Sequence, residues 1–397
     1  MAWAAGAPWA SQTVRIAFID PMSGPMSDIG RNALRSWQFM AEALSGTSDA
    51  PGPRFIVAGF DNRGSPQESL NALKAAVDQG FRYIVQGNGS GVAAAISVAL
   101  VRHNQRHPQQ PVVQINYAAM DPALTTDKCS PWHVRIDADT AMKTQALAQH
   151  MAEQAGLQRV YLINQNYAHG QQFSLHLKQA LTALRPDLQV VGDELHPPFQ
   201  GRGFRPYVKN VLASGAQGLV SANWGADLRD LVRSLADAKS TVPLYAYYPN
   251  LQGVPTALAK TDNRFPIYQV ACSHTNQPGP AGELAQRFEK KHGEDFVVYA
   301  AYDGIAMLRH AITQAATTHS AAIAARLSGM IFPGFNGPVQ LRADDHQLQK
   351  GVYIARWQKV SAAYPRDAEG TGHTFAPLRY FDPWSIRVPA RCDMQRP

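Results

Sequence analysis

Through residues 14–116, short apolar runs alternate with stretches whose apolar positions recur at helical spacing. Residues 14–19 (VRIAFI) predict a strand, and a Pro/Gly/Ser-rich loop follows. Residues 30–44 then place Leu34, Trp37, Met40, Ala41 and Leu44 on one helical face, so Trp37 reads as core. The next strand is expected over 54–60. Ser65, Pro66 and Glu68 open a helix with an N-cap hydroxyl, a proline at the first helical position and the glutamate of a capping box; Gly80 closes it. A strand over 81–86, a glycine-rich turn over 87–91, a helix over 91–102 and a strand over 112–116 complete the series. Such alternation implies a parallel sheet wrapped by helices on both faces.

The pattern repeats. Helices are predicted over 141–155, 169–184, 207–213 and 226–238, and strands over 159–163, 188–191, 218–221, 244–247 and 267–270. Residues 281–292, 298–313 and 321–327 are helical, and 339–341 and 352–357 are the final strands. Those late helices have too few strands for a third domain, so they are expected to complete the first lobe. The expected fold is α/β, a two-lobed clamshell whose lobes are parallel sheets flanked by helices. Ligands of open α/β sheets bind at the carboxyl ends of strands, here expected to face one another across a cleft. The first lobe is expected over 11–137 plus 273–332 and the second over 138–272 plus 333–360, with hinges near 137–139, 271–274 and 332–335. Residues 361–397, with Tyr364, Tyr380, Phe381 and Trp384, read as an irregular extension packed on the lobes.

Composition narrows the function. With 45% hydrophobic and 17% charged residues the 397-residue chain is an ordinary globular protein. Its net charge of +7 comes from scattered basic residues, which argues against nucleic acid. The longest apolar stretch, 92–101, ends at Arg102 and His103, well short of the ~20 residues of a membrane span. The opening MAWAAGAPWASQT reads as the remnant of a cleaved export signal behind an added initiator Met, which points to an exported chain.

Templates for catalysis fail. In the turn Gly87-Asn88-Gly89-Ser90-Gly91, Val92 breaks a dinucleotide fingerprint and Asn88 breaks a nucleophile elbow. What remains is a backbone that a ligand can approach and a helix start that favours an anion; Ser90 either contacts that ligand or caps a tight turn. His103 and His107 are four apart, but no Glu follows His103 and Pro108 ends the segment, so a solvated loop is expected. Asp344-Asp345-His346 reads as a charged hairpin. No constellation of carboxylates, Cys/His or Ser/Lys stands out, so no enzyme, metal or cofactor is expected. Aromatic residues follow three strands of the second series: Tyr167 in NQNYAHG, Trp224 in SANWGAD, and Tyr247 and Tyr248 in YAYYPN. Aromatic walls with a few polar atoms suit a small, partly apolar ligand.

From residue 14 to 357 the chain resembles the type I periplasmic binding proteins, specifically the Leu/Ile/Val-type solute-binding proteins of ATP-driven (ABC) importers. The resemblance is carried by AFIDPMSGPMSDIG, DNRGSPQESLNALKAAVDQGFRYIVQGNGSG, QINYAAMDPALT, NQNYAHG, SANWGADLRDLV, YDGIAMLRHAI and GFNGPVQLRADDHQLQKGVYIARW. It implies two lobes, three crossover hinges, a small-molecule ligand enclosed by hinge motion, a monomer, and delivery to ABC permease subunits of the inner membrane. In the amino-acid binders, first-lobe loops hold the α-carboxylate, which here assigns Asn88, Ser90, Gly91, Tyr117, Ala118 and Met120; Met120 stands where a threonine hydroxyl is expected. The second lobe would contribute Tyr167, Asn223, Trp224, Tyr248 and Asn250.

Tyr248-Pro249-Asn250-Leu251 contains no acid for an α-ammonium, so either Asp227 reaches in or the ligand has none. The expected ligand is a small organic compound with a carboxylate or amide end and an apolar or aromatic body, a branched-chain amino acid being the alternative within the family. A ligand-sensing regulator with the same fold is the runner-up, and a small-molecule hydrolase the third reading. Cys129, Cys272 and Cys392 have no metal spacing, and a Cys129–Cys392 bridge that ties down the tail, with Cys272 free, is expected.

Overall fold

The computed structural model describes residues 8–47, 50–199, 201, 203–394 and 396. Residues 1–7 of the stretch read as an export-signal remnant, and residues 395 and 397 of the extension, lie outside the described residues. The chain divides into two compact units, one of Met1–Asp137, Val298–Lys350 and Pro389–Pro397, the other of Ala138–Val297 and Gly351–Val388.

In the first unit, β1 (Thr13–Asp20), α1 (Ser27–Ala43), β2 (Arg54–Asp61), α2 (Pro66–Asp78), β3 (Tyr83–Gln86), α3 (Ser90–Arg106), β4 (Val113–Asn116) and β5 (His133–Arg135) follow in order. The sheet order is β2-β1-β3-β4-β5, parallel throughout. The short β5 carries no apolar run, and sequence reasoning missed it. Strand alternation sorts the side chains. Ala17, Ile19 and Ile84 pack against Leu73, Ala76, Val92, Ile96 and Leu100 of α2 and α3. Phe18 points the other way and stacks on Tyr117, whose ring also lies 6.0 Å from the fully buried Trp37 of α1. The α2 start is as the residues dictate: Ser65 Oγ accepts from the Glu68 N–H at 3.4 Å, with Pro66 leading the helix.

The second unit opens with α4 (Thr140–Ala152), β6 (Arg159–Gln165), α5 (Ala168–Leu184), β7 (Gln189–His196), α6 (Arg205–Ala213) and β8 (Gly218–Ser221). It continues with α7 (Gly225–Asp237), β9 (Leu244–Ala246), α8 (Val254–Ala259), β10 (Ile267–Ala271) and α9 (Gly279–His292). The chain returns to the first unit for α10 (Ala300–Ala315), α11 (Ser320–Leu327), β11 (Ile331–Gly334), β12 (Gly337–Leu341) and β13 (Leu348–Gln349), then to the second for β14 (Val352–Lys359) and β15 (His373–Phe381). The second sheet runs β15-β14-β10-β9-β8-β6-β7. It is mixed rather than purely parallel, because β14 and β15 enter as an antiparallel pair beside β10. Its core joins Ile163, Leu219, Leu244 and Ile267 of the strands to Val208, Val211, Leu228 and Leu231 of the helices.

The unit boundaries correct the expected ones. Residues 273–297 belong to the second unit, because Asn276 and Glu289 bond Arg366, and Asp295 accepts from the Glu369 N–H. Residues 333–350 belong to the first: the Phe335 N–H donates to Asp303 Oδ1, and Lys350 Nζ is paired with Asp303 Oδ2 at 2.8 Å, both charges buried. The tail is irregular over most of its length, but not throughout. It supplies β15, the edge strand of the second sheet, and then returns to the first unit, where Cys392 is bonded to Cys129; Cys272 is a buried thiol. The chain thus passes between units after Asp137, Val297, Lys350 and Val388, one more passage than the three hinges expected.

The bridge closes a sequence separation of 263 residues, a large loss of freedom for the unfolded chain. Reduction or Cys392→Ser is therefore expected to cost about 2–4 kcal/mol, read as a lower Tm by calorimetry; an unchanged Tm would show that the bridge contributes nothing. A second expectation concerns acid. Burial holds His133 down at about 3 and His150, His169, His274 and His346 at about 4, so each binds protons more weakly folded than unfolded. Their stabilisation is complete above about 6.5 and is lost as pH falls towards 4. Asp20 and Asp295, pushed up to about 7 and about 6 by burial, act in the opposite sense but are only two groups against five. Tm should fall on acidification from pH 6.5 to 4; a flat profile would contradict this.

Candidate functional site

In the first unit the carboxyl end of the sheet is built on Asp20, the last residue of β1, which is fully buried. Its Oδ1 accepts from the Asn88 N–H at 2.9 Å and the Gly87 N–H at 3.3 Å, and its Oδ2 accepts from the Tyr117 hydroxyl at 2.5 Å. Asn88 Nδ2 donates to that same hydroxyl at 3.1 Å. Two glycines make this fit possible. A Cβ on Gly87 would stand 2.6 Å from the Tyr117 ring, and Gly89 adopts a φ of 93°, a left-handed conformation that other residues resist. Burial pushes the Asp20 carboxyl up to about 7, against the pull of Tyr117 and the two backbone donors. Burial and the neighbouring Asp20 charge raise the Tyr117 phenol.

The loop after β4 is stitched from beneath. Asn116 Oδ1 accepts from the Ala118 N–H at 3.2 Å and the Ala119 N–H at 2.8 Å. The fully buried Arg135 donates to the Asp121 carbonyl at 2.6 Å and to Gln347 Oε1 at 2.5 Å. Ser90 Oγ accepts from the Asp121 N–H at 3.4 Å. The structure therefore gives several expected ligand residues internal duties: Tyr117 serves Asp20, the Ala118 N–H serves Asn116, Ser90 joins two loops, and Met120 is buried. Asn88 is half-buried and Gly91 is exposed in the first turn of α3, with open space where a Cβ would stand. Donors at that helix start, under the dipole of a 17-residue helix, can hold a carboxylate.

In the second unit the aromatic residues form a connected set. Trp224 Nε1 donates to the Tyr167 hydroxyl at 2.9 Å, and Phe199 meets the Trp224 ring edge-on at 5.0 Å. Tyr167 lies 5.8 Å from His169, which lies 6.3 Å from Tyr247 and 6.0 Å from Tyr248. The buried Lys143 places its Nζ 5.9 Å from the centroids of both Tyr247 and Tyr248. His169 is held at about 4, first by burial and then by the Lys143 charge. The Asp227 carboxylate accepts from Gln165 Nε2 at 2.7 Å and the Phe199 N–H at 2.9 Å, so it anchors the loop over Trp224. Asn223 is fully buried and its Oδ1 lies 3.0 Å from His196 Nε2, a role within the layer beneath the loops. Asn250 and Tyr248 are half-buried in the turn after β9.

Sequence reasoning missed Asp20, Asn116, Arg135, Lys143 and His169. A signal existed for Asp20, a charge closing the apolar run AFID, and for Asn116, a polar residue closing QIN; nothing local marked Arg135 or Lys143. One minor reading changes: His103 lies in α3 and His107 caps it, their rings 4.7 Å apart, so the pair ends a helix rather than riding a loop. Asp344-Asp345-His346 lie in the turn between the antiparallel β12 and β13, the charged hairpin expected, with Asp345 buried in an ion pair with Arg342 and His346 buried. Among the described residues no group of three His, Cys, Asp or Glu side chains is arranged for a metal, and no helix is long and apolar enough to cross a membrane.

Comparison with known proteins gives a consistent picture. The Leu/Ile/Val-binding protein homolog 4 of Brucella abortus is 26% identical over all of this chain and 96% of its own length. A leucine-, isoleucine-, valine-, threonine- and alanine-binding protein from Brucella ovis superposes with a TM-score of 0.85 at 24% identity, covering 98% of this chain and 100% of that one. A solute-binding protein of an ABC transporter from Rhodopseudomonas palustris HaA2, in complex with p-hydroxybenzoic acid, superposes with a TM-score of 0.78 at 19% identity, covering 94% and 97%. The periplasmic binding protein family model matches residues 13–363. The chain belongs to the periplasmic binding protein family.

Proposed function

We propose that the protein is the exported, monomeric solute-binding component of an ABC importer and hands a small organic acid, or the corresponding amide, to inner-membrane permease subunits. The ligand has an apolar or aromatic body and no ammonium group. The observation that carries this reading is the turn after β9, residues 247–253, which carries no carboxylate. The turn after β9 offers Asn250 where amino-acid binders have an acid, and the Asp227 carboxylate accepts from Gln165 Nε2 and the Phe199 N–H through one oxygen, Oδ2. A buried ammonium without a counter-charge is costly. A carboxylate or amide oxygen suits the α3 start near Gly91, and Trp224 with Tyr167 suits an apolar or aromatic body. The Brucella ovis protein binds amino acids and the Rhodopseudomonas palustris protein p-hydroxybenzoic acid, so the fold accommodates both classes. No catalytic role is assigned to any residue.

A thermal-shift panel of amino acids, small aromatic carboxylates, aliphatic acids, amides and polyamines tests the reading, because a ligand of the folded state raises Tm. Acids or amides without an amino group are expected to raise it. A response confined to branched-chain amino acids would overturn the choice of ligand class while leaving the transport role. Trp224→Ala is expected to weaken the best ligand about tenfold by titration calorimetry. Unchanged affinity would remove Trp224 from the site.

A further inference from the structure

We propose that Glu369, in the C-terminal extension, is a positioning residue for ligand binding: its carboxylate holds in place the turn after β9 that carries Tyr248 and Asn250. The inference rests on the proposed site in the second unit and adds the extension to it.

The turn over residues 247–253 leads directly into α8. Within it the Leu251 N–H donates to the Tyr248 carbonyl at 3.2 Å, and the Val254 N–H to the Leu251 carbonyl at 3.0 Å. These bonds give the turn its local shape without setting where it stands. Of the donors where the turn becomes helix, Val254 is already used and Pro255 has none, so the Gly253 and Thr256 N–H groups need a partner from another segment. Glu369, 116 and 113 residues further along the chain, accepts from both. Its Oε1 takes the Gly253 N–H at 2.5 Å, and its Oε2 takes the Thr256 N–H at 2.9 Å and the Thr256 hydroxyl at 2.6 Å. A charged acceptor makes these among the stronger hydrogen bonds to backbone. The carboxylate is thereby committed to the turn through both oxygens.

Glu369 is itself held from three sides. Its N–H donates to Asp295 Oδ2 at 2.9 Å, and the preceding Ala368 is buried in the core of the second unit. Arg366 exchanges backbone bonds with the Asn276 side chain, at 2.8 and 3.0 Å, and pairs with Glu289 of α9. The loop bends through the left-handed region at positions 369, 370 and 372, with φ of 53°, 66° and 69°. Two of those positions are glycine, as the conformation favours, and the third is Glu369. A side chain kept where the backbone disfavours one marks a carboxylate with a task. The clamp is made by the part of the chain beyond residue 363, where the family match ends.

A ligand that touches Tyr248 and Asn250 meets them already in position. Without the carboxylate the far end of their turn is released, and the turn must be ordered at the moment of binding, which weakens affinity.

Two measurements on the full chain test this. Glu369→Gly removes the carboxylate while relieving the backbone, and Glu369→Gln keeps the shape but replaces one acceptor with a donor. The first measurement, hydrogen exchange, needs no ligand. In both variants the amides of residues 248–257 should exchange about tenfold faster than in wild type, while those of β6 and β8 keep their rates. Unchanged exchange over 248–257, or acceleration spread evenly through the second unit, overturns the positioning role. The second is titration calorimetry with 4-hydroxybenzoate, leucine and the strongest ligand of the thermal-shift panel as probes. Glu369→Gly should weaken binding about threefold to tenfold. That loss should vanish when Tyr248→Ala and Asn250→Ala are already present, and should persist in full beside Trp224→Ala, which stands on another loop. An unchanged affinity in Glu369→Gly, or a loss that survives in the Tyr248→Ala, Asn250→Ala background, overturns the inference and leaves the proposed site intact. If Tyr248→Ala with Asn250→Ala itself leaves affinity unchanged, the turn is not part of the site and both fall, while exchange still shows whether Glu369 holds the turn.

Discussion

Parallel pairing brings the carboxyl end of every strand in a βα series to one edge, and that constraint organises both units. The strand interiors are apolar and buried, but the residues that finish them are not. Asp20, Gln86 and Asn116 close β1, β3 and β4, and Gln165 and Ser221 close β6 and β8, all buried; Gln86, Asn116 and Ser221 bond the loop that follows their own strand, Asp20 the loops after β3 and β4, and Gln165 the Asp227 carboxylate of α7. A buried polar group needs a partner, and the nearest partners at a strand end are the N–H and C=O groups of the departing loop. The loops are thereby held in fixed shapes by the sheet itself. Groups exposed at this edge are those left over after the loops have been secured: Ser90, Tyr117 and Ala118 are occupied by the protein while Gly91 stands exposed.

The periodic part of the fold was legible from residues alone. The β1 to α3 series and the β6 to α7 series follow from apolar alternation, and the α2 start from Ser65, Pro66 and Glu68. What escaped notice lacked a local signal. β5 is three residues ending in a buried arginine, and β15 contains Pro377, Arg379 and Tyr380, which read as loop until β14 provides a partner. Placement of α9 depended on Arg366 and Glu369, residues distant in sequence, so its assignment to the wrong unit was unavoidable from periodicity.

Site residues divide the same way. Tyr167 and Trp224 were visible as aromatics following strands, and the structure joins them through one hydrogen bond. Of the nearby charges, Asp227 was visible as a candidate acid though its bonds to Gln165 and Phe199 were not, and Lys143, which comes from α4, carried no signal. Electrostatic character is a property of where distant segments meet, and spacing along the chain does not encode it.

The discontinuity of the two units has an evolutionary consequence. Neither is a continuous stretch of gene: the first needs Met1–Asp137, Val298–Lys350 and Pro389–Pro397, the second Ala138–Val297 and Gly351–Val388. A single recombination breakpoint can therefore never exchange one unit whole, and a breakpoint after residue 360 would separate β14 from β15 and Cys129 from Cys392 in one stroke. Diversification of such a chain is confined to substitution and to insertion within loops, with the tail inherited as a joint component of both halves.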